Sequence, residues 1–267
     1  MILASAPPIS LILSVLAAAA YAWPAVRSSH LSDHLSRIWV GLAWLLHGSV
    51  LAITLLGEAP HFGFAPAMSV TAWLVAAVYA VESHIYPQLP TRWTLCVVGA
   101  VAVLVAFVFP GGPMPVTASA WLAMHLAFGV ACYGLFGIAA VHAWFMRRAE
   151  VRIRHAEDPH SGLPLLTLER LTYRFVAAGF VLLSATLLAG FLFSDSLYGH
   201  GHGWRWDHKT IFSTLAWLTF AVLLVGRSAF GWRGKKAVNV LYTGSAFLLL
   251  AYVGSRFVTE IVLGRTP

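Results

Sequence analysis

Cysteine and charge are the scarce ingredients of this chain. Only two of its 267 residues are cysteine, Cys96 and Cys132, and both sit inside apolar runs. Neither belongs to a CxxC or CxxCH pattern, which argues against a disulfide framework, a thioredoxin-like redox pair and covalent c-type haem attachment. Both read instead as small buried packing residues. Charged residues make up 10% of the chain, against about 25% in a soluble domain. No basic residue precedes Arg27, so a cleaved signal peptide is not expected. The sequence shows no internal repeat, which argues against a small transporter built from inverted halves. It shows no soluble domain either.

Apolar sequence fills the space that charge leaves. Hydrophobic residues make up 59% of the chain and the mean hydropathy is +0.78. A span needs about 20 apolar residues to cross about 30 Å of hydrocarbon. Eight runs qualify or nearly do, roughly 9–26, 36–56, 66–86, 92–109, 118–146, 171–193, 210–227 and 237–263. The fourth is short, wholly apolar and ended by Pro110; the fifth is long enough to project beyond a bilayer. The expected fold is all-α: a polytopic membrane protein of about eight transmembrane helices, forming a single integral membrane domain over residues 1–267.

The net charge of +7 would suggest a nucleic acid in a soluble protein. Here the basic residues lie in short loops, where they report topology, and no nucleic-acid partner is expected. Thirteen of the seventeen Lys and Arg fall on one set of loops, from Arg27 and Arg37 to Lys235 and Lys236. The opposite set holds Arg205, Lys209, Arg256 and Arg265. The positive-inside rule puts the first set in the cytoplasm, hence both termini and the loop 194–209 outside. The segment 147–170 is the longest cytoplasmic connection, part helix and part loop, with a solvated charged face.

Ionisable side chains are costly in hydrocarbon and usually functional. His47, Glu82, His84, His125, His142, Arg256 and Glu260 lie within the apolar runs. At 1.5 Å rise per residue His125 lies roughly 10 Å, and His47 roughly 14 Å, below the outer ends of their spans. Two neutral imidazoles at matched depth have the chemistry to ligate a haem iron or another metal; hydrogen bonds to neighbouring helices would also account for them. His84 and His142 lie nearer the basic interface and read as structural. Arg256 and Glu260, four apart, share a helix face.

The outer stretch "GHGHGWRWDHKT", residues 199–210, is the densest polar segment. Trp204 and Trp206 offer flat apolar faces with one N–H donor each. Arg205 and Lys209 suit carboxylates, and Asp207 can orient either cation. A flat apolar ligand with acid groups matches that inventory, and haem with its two propionates is the obvious candidate. An interfacial tryptophan belt uses the same residues. His200 and His202, in a glycine-rich loop, are too flexible to count as a metal site.

The run "WRWDHKTIFSTLAWLTFAVLLVGRSAFGWRGKKA" resembles the signature of the cytochrome c assembly proteins, the CcsA/CcmC/CcmF haem-handling superfamily. Trp206, Asp207, Lys209, Trp217, Arg227 and Gly231-Trp232-Arg233-Gly234 stand in register with that signature. "WLAMHLAFGVACYGLFGIAAVHAW" resembles the family helix carrying the first outer haem-ligating histidine, which maps to His125. The similarity covers about residues 65–263 and is nearest the short YpjD/HemX-like branch. The family's Pro-Lys-Glu-Thr is His208-Lys209-Thr210-Ile211 here. The family's intramembrane histidine on the following helix aligns with Val225, and its late outer histidine with about Leu263; no histidine follows His208.

The resemblance implies an inner-membrane protein that binds haem b non-covalently and assists haem delivery or cytochrome c maturation. His125 would be the iron ligand, with His47 or an outer-loop histidine (His61, His200, His202 or His208) as the second. Trp204 and Trp206 would hold the ring and Arg205 and Lys209 the propionates. Membrane lipid, haem and a cytochrome maturation or haem-synthesis protein are the expected partners. The alternative is a non-haem accessory or regulatory protein that uses a reduced haem-handling fold as a scaffold. No nucleophile–base pair or paired carboxylates stand at a plausible site, so no enzymatic activity is expected.

Overall fold

The computed structural model describes residues 8–27, 32–57, 60–85, 93–113, 120–154, 165–192 and 207–264. The helices are α1 (Pro8–Val26), α2 (Asp33–Leu56), α3 (Phe64–Ile85), α4 (Trp93–Val108), α5 (Ala120–Arg154), α6 (Leu165–Leu192), α7 (His208–Phe230) and α8 (Gly234–Leu249). Strands β1 (His61–Phe62) and β2 (Gly112–Pro113) form a short antiparallel clip, His61 opposite Pro113. Among the described residues seven helical segments are long and apolar enough to cross a membrane, and α4 is shorter and apolar. The chain is thus an all-α polytopic membrane protein. It packs as two compact units, Met1–Val116 with Arg256–Pro267, and Thr117–Ser255.

Two boundaries differ from the hydropathy reading. Helix α5 runs unbroken to Arg154, about 52 Å at 1.5 Å per residue, well beyond a hydrocarbon core of about 30 Å. Helix α6 starts at Leu165 rather than near 171 and carries Glu169 buried within its second turn. The segment 147–170 is thus part helix, as expected, while Glu169 departs from its solvated face. A hydropathy window ends a helix where charge begins; the backbone does not.

In the first unit α1, α2 and α4 pack through small residues around Tyr21, with Ala17, Ala20, Ala43, Cys96 and Val103 buried beside it. Gly99 leaves room for that ring: a Cβ there would stand 2.9 Å from Tyr21 Cζ. Helices α2 and α3 join through Trp44 and Trp73, stacked with ring centroids 4.6 Å apart. Each indole N–H donates to the other's backbone carbonyl, at 3.1 and 3.0 Å. Two indole donors are thereby satisfied without water, as a membrane interior requires.

The second unit is built on antiparallel pairs. His142 of α5 meets Phe175 of α6, Phe136 meets Gly179, Gly129 meets Thr186 and His125 meets Gly190. At its centre the Phe136 and Phe220 rings stack, 3.8 Å between centroids and 6° from parallel. Glycines let both backbones approach. A Cβ at Gly179 would stand 3.0 Å from Phe136 Cζ, and one at Gly244 2.7 Å from Phe220 Cε1. Small residues that admit close backbones drive helix association in lipid, where apolar burial drives little.

Gly244→Ala is therefore expected to cost about 1–3 kcal/mol by overpacking. Gly129→Ala, whose added methyl meets nothing closer than 3.9 Å, should leave stability unchanged or raise it by up to about 1 kcal/mol through helix propensity. Thermal unfolding of the two variants in one detergent compares them.

The last helix leaves α-geometry twice, in π-turns over Leu250–Gly254 and Val258–Val262. Such turns are rare and interrupt the regular bonding ladder. In the first unit Phe257 packs edge-on against Phe64, 5.3 Å between centroids. Arg256 and Glu260 face each other at 3.8 Å, as their spacing predicts. A Cβ on Gly63 would fall 2.7 Å from the Gly111 backbone Cα, and 2.8 Å from either Glu260 carboxylate oxygen, so the backbone contact keeps this position to glycine. Gly111 meets Gly63 with a φ of 83°, in the left-handed region that glycine adopts freely.

Candidate functional site

His125 stands near the start of α5, about 8 Å of helix rise from Ala120. Antiparallel α6 brings its last turns to the same end. Gly190 is buried against the imidazole; a Cβ there would lie 3.5 Å from His125 Cε1. The Thr186 backbone of α6 lies beside the ring. Its Nδ1 is buried and has no hydrogen-bond partner among the described residues. An imidazole held on one side with an unengaged buried nitrogen can take a metal ion or one hydrogen-bonding ligand.

Helix α7 begins at this end. Asp207 is its N-cap, with the side chain accepting the Thr210 backbone N–H at 2.9 Å. A carboxylate there satisfies an orphan donor and suits the helix dipole. His208 is exposed and Lys209 half-buried on the first turn. Trp204, Arg205 and Trp206 lie outside the described residues, as do His200 and His202.

His47 belongs to the first unit and is fully buried. Its Nε2 lies 2.7 Å from Ser69 Oγ and its Nδ1 3.4 Å from the Tyr21 hydroxyl. Tyr21 also meets the ring edge-on at 5.9 Å. Both nitrogens therefore face side chains, one from α1 and one from α3, and a metal here would have to displace one of them. His61 sits in β1 of the same unit. His142 is buried against Phe175, 5.5 Å between ring centroids. No group of three His, Cys, Asp or Glu among the described residues is placed to hold a metal ion.

The opposite end of the second unit holds a cluster that the sequence reading missed. Glu169 pairs with Arg227 and, at 3.4 Å, with Arg233 Nε. The Arg227 guanidinium lies 4.6 Å over the Tyr173 ring. The Tyr173 hydroxyl donates to the Trp232 carbonyl at 3.0 Å. Trp232 folds back on α7, where a Cβ at Gly226 would overlap its indole at 2.3 Å. Gly231 and Gly234 turn the chain with φ of 62° and 60°, and the Trp232 N–H closes the helix end on the Gly226 carbonyl. The Gly-Trp-Arg-Gly signature is thus a folded corner locked to α6. Further along α7, Trp217 donates to Ser184 Oγ at 2.8 Å and stacks on Phe180. The signal for Glu169 was its four-residue spacing from Tyr173, which sets both on one helix face.

Comparison with known proteins places these features. Residues 42–263 match the family described as cytochrome c assembly protein. The inner membrane protein YpjD of Escherichia coli K12 is 28% identical over 141 residues, 52% of either chain. The cytochrome c biogenesis protein CcsA of Prochlorococcus marinus AS9601 is 26% identical over 166 residues, 54% of this chain and 53% of its own. CcsA of Cyanophora paradoxa is 36% identical over 87 residues, 33% of this chain and 26% of its own. The chain spans about half the length of the first two of these curated relatives. No solved structure matches it. The match over residues 42–263, with the signature residues seated as helix cap, indole anchor and locked corner, makes the chain a member of the cytochrome c assembly protein family.

Proposed function

We propose that this protein is a multi-pass inner-membrane protein that binds haem b non-covalently at the His125 end of its second unit and assists haem delivery or cytochrome c maturation. The observation that carries the reading is the His125 imidazole. It lies beside the Thr186 backbone and against a glycine, and its Nδ1 has no partner among the described residues. An axial histidine of a haem protein needs those features: a neutral ring, a fixed orientation and an unengaged nitrogen. When bound, haem would supply an iron open to the imidazole and two propionates open to cations.

The chain's own residues divide the remaining work. His125 offers the donor atom. Gly190 packs against the edge of its ring, where a branched side chain would crowd it. Asp207 caps α7 and fixes the departure of the loop that carries Trp204, Arg205 and Trp206. In this reading the two indoles cover the macrocycle, while Arg205 and Lys209 meet the propionates. The charge bias along the sequence supports an outer position for this end, for the loop 194–209 and for both termini. His47 keeps the α1–α2–α3 contact through Tyr21 and Ser69, and holds no iron while those bonds stand. The role is carriage, with no covalent chemistry assigned to the chain.

A second reading has one observation in its favour: the fully buried His47 is engaged on both nitrogens. The protein would then be a non-haem accessory scaffold. Titrating haem into the detergent-purified protein separates the two. Haem carriage predicts a saturable Soret band with a Kd in the micromolar range or tighter. A flat titration indistinguishable from empty detergent micelles would establish the scaffold reading instead.

A further inference from the structure

We propose that the locked α7–α8 corner and the adjoining face of α6 form a binding site for an anionic glycerophospholipid. On α6 the pairs Glu169–Arg170 and Tyr173–Arg174 repeat four residues apart, so they make two neighbouring stripes. The stripe of Glu169 and Tyr173 faces the corner, bonded to Arg227, Trp232 and Arg233. The stripe of Arg170 and Arg174 is exposed beside it. The corner contributes Arg233, Lys235 and Lys236, also exposed, with the Lys236 ammonium 3.8 Å over the Trp232 ring. Glu169 is already taken by two arginines, and Arg170, Arg174 and Lys235 form no ion pair among the described residues. Glu150 of α5 also brings a carboxylate oxygen to the corner, 3.9 Å from where a Cβ on Gly234 would stand, so the shelf sets five exposed cations against two carboxylates, of which Glu169 is spent.

The flank of that shelf selects the occupant. Phe230 is 72% exposed at the corner and Val181 64% exposed on the Arg174 face of α6. Val181 lies seven residues beyond Arg174, about 10 Å deeper along α6, a depth that acyl chains occupy when a phosphate rests on the arginines. A small inorganic anion would use the cations and leave the apolar flank bare. A soluble acidic protein would bury that flank only by entering the membrane. A phosphodiester carrying acyl chains uses both, and basic pockets at helix ends are where anionic headgroups bind. The inference is independent of haem.

The test uses the whole chain in mixed micelles, with native mass spectrometry for bound lipid and thermal unfolding as a second readout. Phosphatidylglycerol is expected to be retained in preference to phosphatidylcholine and to raise the melting temperature. The Arg170→Gln/Arg174→Gln/Lys235→Gln variant spares the Glu169 lock, so it should keep its helicity while losing phosphatidylglycerol preference. Three cations at a factor of about five each make that loss roughly 100-fold. Equal retention of the two lipids would overturn the proposal, as would an unchanged preference in the variant. If millimolar inorganic phosphate displaced phosphatidylglycerol or matched its stabilisation, the site would be one for soluble anions and the proposal would fail.

Discussion

Replacing His125 by alanine is expected to remove the Soret band of the haem-loaded protein and to leave its helices folded. The iron loses its only assigned protein donor, so haem affinity should fall at least about ten-fold, equivalent to about 1.4 kcal/mol. The fold loses little. Nδ1 has no bond among the described residues to break, so its removal strands no buried partner. The Thr186 carbonyl, four residues before Gly190 in α6, keeps its helical bond. Gly190→Leu approaches the same site from the other helix. Its side chain would start 3.5 Å from His125 Cε1 and grow across the ring edge, so haem uptake should fall although His125 is intact. Absorption spectra of both variants beside circular dichroism separate a lost ligand from a lost fold. A wild-type Soret band in His125→Ala would reassign the iron to another residue.

Glu169→Ala should be the most destabilising single change at the other end of the second unit. It leaves the arginines that Glu169 held without their carboxylate, releases the corner from α6 and exposes the Tyr173–Trp232 contact to slippage. Breaking a buried pair by removing one partner costs about 3–5 kcal/mol. Arg227 keeps 28% of its side chain exposed and Arg233 63%, so solvent screens part of the loss and the low end applies. About 3 kcal/mol corresponds to an apparent Tm roughly 6–12 °C lower for a chain of this size. Glu169→Leu/Arg227→Leu, which strands no buried charge, should recover more than half of that drop. If the single variant melts with the wild type, the corner is not held by Glu169.

The spans, their order and the apolar character of α4 were legible because a membrane span is written into composition over some 20 consecutive residues. The seats of the polar residues were harder to read. Glu169 reads as solvated because its neighbours are charged; it is buried because α7 returns Arg227 beside it 58 positions later. His47 reads as one of a pair at matched depth. Its actual partners, Tyr21 and Ser69, come from two other helices, and their register is set by small-residue packing that hydropathy does not encode. His125 was found through its resemblance to a family helix, while Thr186 and Gly190, which frame it, carry no motif. The π-turns of the last helix have no local signature either.

The central claim is that the His125 imidazole donates to haem iron, and chemical rescue tests it most directly. In His125→Gly the side chain is removed and the space it occupied is left to an added ligand. The account predicts a haem-loading defect that free imidazole repairs in a saturable way, restoring the Soret position of the wild-type protein. A full wild-type spectrum in His125→Gly without imidazole would contradict it.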